Sequence, residues 1–333
     1  MIIENSKTYN LTDVENIFFR PAFCGKAAEE LGIRVLYNMP VPTKVPLFAH
    51  NNNILKKFAP GWQGGSASTL SQKEIQMTKL KAESAYSAED YFSTLYEIIV
   101  ASSDINLGDL SGTDLEAAET ELFRRALVDS VYANTWFGDS KGLVSDNKNF
   151  DGFLSRIIAA GASGDSEVPL SVYSEEHEVY DVSQIFRDTW TDATSGLRAL
   201  AADGHLAFFV SSDIYDLYQF YLDEKGLLDA QGEVNGRPIL TYHGIPLIEI
   251  PTNGCELKRA KSFCILTDRR NLVLALNTAD SPEKEIRMWY NPDEMENRQR
   301  VVFLAGTTII DEMLLSGYVF DGGIYISNDD YGA

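Results

Sequence analysis

The chain has 333 residues and a mass of 37.1 kDa, a length that suits two domains. Hydrophobic residues make up 44% and charged residues 23%, which excludes wholesale disorder. Twenty-eight Lys and Arg against 49 Asp and Glu leave a net charge of −21, which argues against a free-standing nucleic-acid binder and against attraction to anionic membranes.

The N-terminus, MIIENSKTYNL, is polar and lacks the apolar run of a signal peptide. No stretch approaches the roughly 18 apolar residues of a membrane span. Cys24, Cys255 and Cys264 form no CxxC pair and read as free thiols of a reducing compartment, the cytosol. Residues 1–81 carry ten basic and six acidic side chains, a balance of +4 that leaves −25 for residues 82–333. Such asymmetry suits a basic segment that meets the acidic remainder of its own or a neighbouring chain, or else plain solvated surfaces.

Pro40, Pro42 and Pro46 forbid helix and precede the polar tract 50–53 and the glycine-rich run 61–66, so 40–65 reads as an extended arm. Residues 73–81 alternate like a strand, with Ile75 and Met77 on one face. A lone two-stranded excursion is marginal and needs a surface to lie against, and Trp62 near its tip points the same way. Thr113 with Glu116 then opens a helix that Gly138 stops. Leu115, Ala118, Leu122 and Ala126 form its expected packed stripe, with Phe123, Leu127 and Val131 beside it.

A second helix is expected from Asp181 to Leu200 with an Asp-x-x-Gln start, followed by a buried strand over 205–211 and a helix over 213–225. Short strands follow at 238–242, 245–250, 263–267 and 272–276, then 285–290 and a strand-rich stretch from Arg300 to Phe320. Strands and helices that do not alternate regularly make an α+β fold. The histidines His50, His177, His205 and His243 lack metal-ligand spacing, the run 61–66 lacks the Gly-Lys-Ser/Thr ending of a phosphate loop, and no Gly-x-Ser-x-Gly elbow is present. No catalytic, metal or cofactor site is expected.

The order of these elements resembles the major capsid (coat) protein of tailed bacteriophages. The resemblance rests on residues 73–95 as a returning loop strand, 115–138 as a spine helix and 150–158 (FDGFLSRII) after it. It continues through 205–225 as a core strand and its helix, 235–251 (NGRPILTYHGIPLIEIP) as paired strands, and 298–320 as the closing long strand. It implies an N-terminal arm over 1–43, an extended β-hairpin loop over 44–84, and a peripheral domain over 85–174 with its spine helix at about 114–137. It further implies an axial domain over 175–280 and a return to the peripheral domain with a C-terminal tail over 281–333. The implied role is a non-enzymatic subunit whose pentamers and hexamers close an icosahedral shell around double-stranded DNA, first in the host cytoplasm and then in the virion.

Its implied partners are copies of itself, a portal, decoration or head-completion proteins, and packaged DNA without sequence-specific contacts. The family often carries an N-terminal scaffolding extension; here the body follows within roughly 40 residues, shorter than a domain, so a separate scaffolding protein or none is expected. Lys56, Lys57, Trp62, Lys73, Ile75, Met77, Lys79 and Lys81 are the expected inter-subunit contacts of the loop, and Leu115, Leu122 and Ala126 the core of the spine helix. Two other readings stand beside this one: a cellular nanocompartment shell on the same fold, and an acidic soluble hydrolase using paired carboxylates.

Overall fold

The structure is a computed structural model. It describes residues 7–8, 31–38, 43–50, 60, 68–87, 114–141, 147–162, 168–175, 177–179, 181–227, 233–234, 237–238, 240–251, 262–277 and 286–326. In chain order the strands begin with β1 (Lys7–Thr8), β2 (Arg34–Leu36), β3 (Thr43–His50), β4 (Ser68–Ile75) and β5 (Thr78–Ser87). The helices α1 (Asp114–Phe137) and α2 (Phe153–Ala162) come next, then β6 (Leu170–Tyr173), β7 (His177–Val179), α3 (Val182–Asp192) and α4 (Ser195–Ala199). The strand β8 (Leu206–Ser211) leads into α5 (Ser212–Glu224), followed by β9 (Glu233–Val234), β10 (Arg237–Pro238), β11 (Thr241–Tyr242), β12 (Ile245–Ile250), β13 (Ser262–Asp268) and β14 (Leu272–Leu276). The chain closes through β15 (Arg287–Asn291), β16 (Glu296–Ile309), β17 (Leu315–Phe320) and β18 (Ile324–Ile326).

Two six-stranded sheets organise the described residues. In the first, the 14-residue β16 is the axis. One edge pairs antiparallel with β5, and the other pairs with β15 and then with β14, which carries β2. The second runs β11-β12-β8-β13-β17-β6. Its central β8 and β13 are buried at every position, which is why they read as unbroken apolar runs rather than alternating ones. Where β11 turns into β12, His243 and Gly244 both have positive φ (51° and 76°), the two-residue turn whose twist matches a hairpin.

The helix α1 spans the range marked by its cap and Gly138; at 24 residues it is roughly 36 Å long. Its partly buried Phe123 and Val131 and its buried Leu127 pack on Leu274, Met288, Val301 and Phe303 of the first sheet. Its last turns pack Tyr132, Trp136 and Phe137 against α2 and the second sheet, with the Trp136 ring 5.3 Å from both Phe153 and Phe209. Gly138 stops the helix as expected, and a side chain there would strike the Phe150 carbonyl oxygen.

Three expectations are corrected. The helix expected from Asp181 to Leu200 breaks after Asp192, because Thr194 caps a new start and accepts from the Leu197 amide at 3.2 Å. The stretch 300–320 is two strands in different sheets: β16 ends at Ile309, and β17 crosses to pair with β13 and β6. Pairing also ignores the boundary expected at residue 280, since β14 lies in the first sheet and β17 in the second.

Among the described residues the chain passes directly from strand to strand between the sheets at two places, from β13 to β14 and from β16 to β17, and a third time through α1 and α2 between β5 and β6. Asn271, 4% exposed, ties the two direct crossings together. Its side chain donates to the Asp311 carbonyl and accepts from the Asp311 amide, both at 2.8 Å, and its own carbonyl accepts from the Ile310 amide at 3.0 Å. Leu272 and Ile309, at the ends of these crossings, share one core with Phe209, Ile265, Leu315 and Val319 of the second sheet.

Candidate assembly surfaces

The arm and hairpin were the sequence's clearest request for a partner; most of the arm lies outside the described residues, and the structure describes the hairpin's two paired strands. The strands β3 and β4 pair antiparallel from Thr43↔Ile75 to His50↔Ser68, a ribbon of roughly 27 Å. The ribbon is rooted in the subunit. Val45 and Ile75 are 3% and 1% exposed and pack with Val273 and Ala275 of β14. Between β4 and β5 the chain bends across β16 at Gly306, where a Cβ would lie 2.2 Å from the Gln76 carbonyl oxygen. Lys73 closes the root with a 2.8 Å ion pair to Glu312, 239 residues away.

This geometry divides the expected loop contacts. Ile75 is an internal anchor rather than a contact surface, because its side chain fills the space above β14. Met77 packs partly buried on the same cluster, and Lys73 is engaged by Glu312. Lys79 and Lys81 point outward on β5, where Lys81 pairs with Glu83 at 2.6 Å. Lys56, Lys57 and Trp62 lie outside the described residues.

The expected core of α1 is rotated by one residue. Leu122 is 56% exposed and Ala126 is exposed as well, while the stripe beside them meets the sheet. The physical reason is volume: Phe123, Leu127 and Val131 bury more apolar surface than Leu122 and Ala126, whose face continues into the exposed Ser130. The side chain of Leu115 lies outside the described residues. Along the flank Glu121 holds Arg125 at 2.9 Å, and burial pushes the Asp129 carboxyl up, partly offset by Arg125. The rod thus leaves a short exposed strip, Leu122 and Ala126, that ends at the polar Ser130 and is edged by charge. Sequence reasoning missed the root contacts, though Gly306 inside a β-rich run was a visible mark of close backbone approach.

Elsewhere the polar clusters brace structure. Asp213 accepts from Ser211 and Ser262 and fastens the start of α5 to β8 and β13. Asp151 accepts from the Ser140 amide at 2.9 Å and from its hydroxyl, tying α1's exit to the segment before α2. Burial pushes the Cys264 thiol up to about 12, so it carries no thiolate at neutral pH. Among the described residues no group of His, Cys, Asp and Glu has metal-ligand geometry, and no helix is long and apolar enough to cross a membrane.

No protein-family model and no curated protein matches the sequence. Solved structures match it over most of its length. A structure of Gordonia phage Cozz is 13% identical with a TM-score of 0.56, covering 91% of this chain and 89% of that one. The capsid of Myoviridae phage XM1 is 13% identical with a TM-score of 0.54, covering 91% and 94%. The satellite phage P4 procapsid including size determination (Sid) protein is 11% identical with a TM-score of 0.52, covering 90% and 96%. The α+β fold of this chain is the fold of these phage capsid structures.

Proposed function

We propose that this chain is the major capsid protein of a tailed phage, a non-enzymatic subunit that assembles with copies of itself into pentamers and hexamers of an icosahedral, DNA-filled head. The observation that carries the reading is mutual coverage: the likeness takes in about nine-tenths of this chain and of each neighbour. A fold alone does not assign a function, so two features of the chain itself add weight. Its ribbon of two paired strands is rooted on β14 at one end only among the described residues, and its rod leaves Leu122 exposed. In this reading the ribbon and residues 1–43 lie on neighbouring subunits, with Lys56, Lys57, Trp62, Lys79 and Lys81 as contacts. The helix α1 and the first sheet form the peripheral unit, and the second sheet forms the unit nearer the capsomer axis. A portal, a separate scaffolding protein and packaged DNA complete the set of partners.

Negative-stain microscopy of the expressed protein, alone and with co-expressed neighbouring genes, tests this. Closed particles of uniform diameter are expected. A stable monomer at micromolar concentration under all these conditions would overturn it. Nuclease-protected DNA in particles from infected cells separates a phage head from a shell that encloses enzymes.

A further inference from the structure

A half-open cavity of about 470 Å³ lies between α3, β6, β7 and β17, away from the ribbon and the rod. One wall is aromatic. The His177 ring stacks on Tyr173 at 4.2 Å and 25°, Tyr173 is 5.4 Å from Phe320 at 8°, and Tyr318 is 6.2 Å from Phe320 at 11°. The four rings are therefore nearly parallel, with Phe320 buried and His177 stacked over Tyr173. The wall is held from behind: β6 and β17 pair Tyr173 with Phe320, the Asp321 amide donates to the Tyr173 carbonyl at 2.8 Å, and the His177 amide donates to the Gly323 carbonyl at 3.0 Å. The Tyr318 hydroxyl donates to Asp192 at 2.8 Å.

The polar side of the cavity is acidic. Glu178 and Asp188 line it, and Asp192 stands beside Tyr318. Burial, then the bond to Asp192 and the charges of Asp192 and Asp188, push the Tyr318 hydroxyl up. Among the described residues no Lys or Arg lines the cavity; Arg187 reaches the Asp188 carboxylate at 3.5 Å and is 64% exposed.

We propose that this cavity docks an arginine side chain of a partner protein. A guanidinium is planar, lies flat on ring faces, and turns its N–H groups outward in its own plane, where Glu178 and Asp188 can accept them. An ammonium ion gains the charge but loses the stacking and the fork. A nucleotide would stack as well, but its phosphate would meet the carboxylates. The source we name is a protein segment rather than free arginine, because the cavity is lined by Tyr173 of β6, the end strand of its sheet among the described residues, where a further chain can approach. This inference goes beyond the shell reading and does not depend on it.

The test is fluorescence polarisation with the full-length protein and a fluorescein-labelled Gly-Arg-Gly-Arg-Gly peptide, beside its lysine and citrulline counterparts. The arginine peptide should bind more tightly than the lysine peptide, and the neutral citrulline peptide should not bind. Asp188→Asn should weaken the arginine peptide by about tenfold, and Tyr173→Leu should remove the preference for arginine over lysine. Asp216→Asn, an equal charge change on the exposed face of α5, should alter binding by less than about twofold. Arg187→Gln, which frees Asp188, should tighten it. Equal losses from Asp188→Asn and Asp216→Asn, or no binding of the arginine peptide to the folded protein, would overturn the proposal. Should Tyr173→Leu fail to fold, Glu178→Gln replaces it, with the same weakening expected as for Asp188→Asn.

Discussion

Gly317 lies where β17 runs so close to β13 that a Cβ would sit 2.1 Å from the Cys264 carbonyl oxygen. Both strands are central and buried, so neither can retreat without opening the sheet. Gly317→Ala should cost about 3 kcal/mol, read as a lowered urea midpoint; an unchanged midpoint would mean the strands can part. Asp268 shows a different single-residue effect. Burial pushes its carboxyl up, but hydrogen bonds from Arg270 and the charges of Arg270 and His205 outweigh that and hold it below the ordinary 3.8. A carboxyl so depressed contributes stability above its unfolded value, and that contribution fades as pH falls through the lowered one. Urea midpoints of Asp268→Asn should therefore trail the parent above about pH 4 and converge with it in stronger acid. A constant gap down to pH 2 would contradict this.

At the scale of elements, the rotation of α1 reverses the order of two substitutions. Leu127→Asp puts an unpaired charge against Leu274 and Phe303 and should abolish soluble expression, a cost of several kcal/mol. Leu122→Asp sits on the exposed strip and should change subunit stability by no more than about 0.5 kcal/mol, while blocking particle formation if the strip meets a neighbour. A soluble Leu127→Asp would put the packed face elsewhere. Gly306→Ala should loosen the ribbon's root and raise protease cleavage between residues 43 and 75, leaving the second sheet protected.

The existence of these elements was largely legible: Asp181 and Gly138 mark helix ends, and runs such as 206–211 can only be buried strands. The break at Thr194 was hidden because a capping threonine inside a helical pattern looks like any other residue. The α1 stripe was misread because two adjacent apolar rows share one period, and only the opposing sheet decides between them. Ile75 looked like a contact residue for a related reason. Alternation shows that it faces something, and its partner β14 lies some 200 residues further along the chain, beyond any local signal.

For the whole molecule, the shared core between the sheets predicts one cooperative unfolding transition in the dispersed subunit rather than one for each sheet. Calorimetric and van't Hoff enthalpies should agree, and two resolved peaks would show separable halves. The domain plan read from sequence treated the chain as passing out and back once. Strand pairing is non-local and could not be read from order, so β14 and β17 were each assigned to the wrong side. The paired crossings at Asn271 carry a mechanical consequence. Two bodies joined by a single strand can swivel freely, whereas here two crossings bonded to each other through Asn271 and a rod, α1, packed on both sheets tie the bodies at three places. Load applied to one sheet should therefore pass into the other, so that the two move as one piece, and Asn271→Ala should slacken that coupling before it loosens the fold.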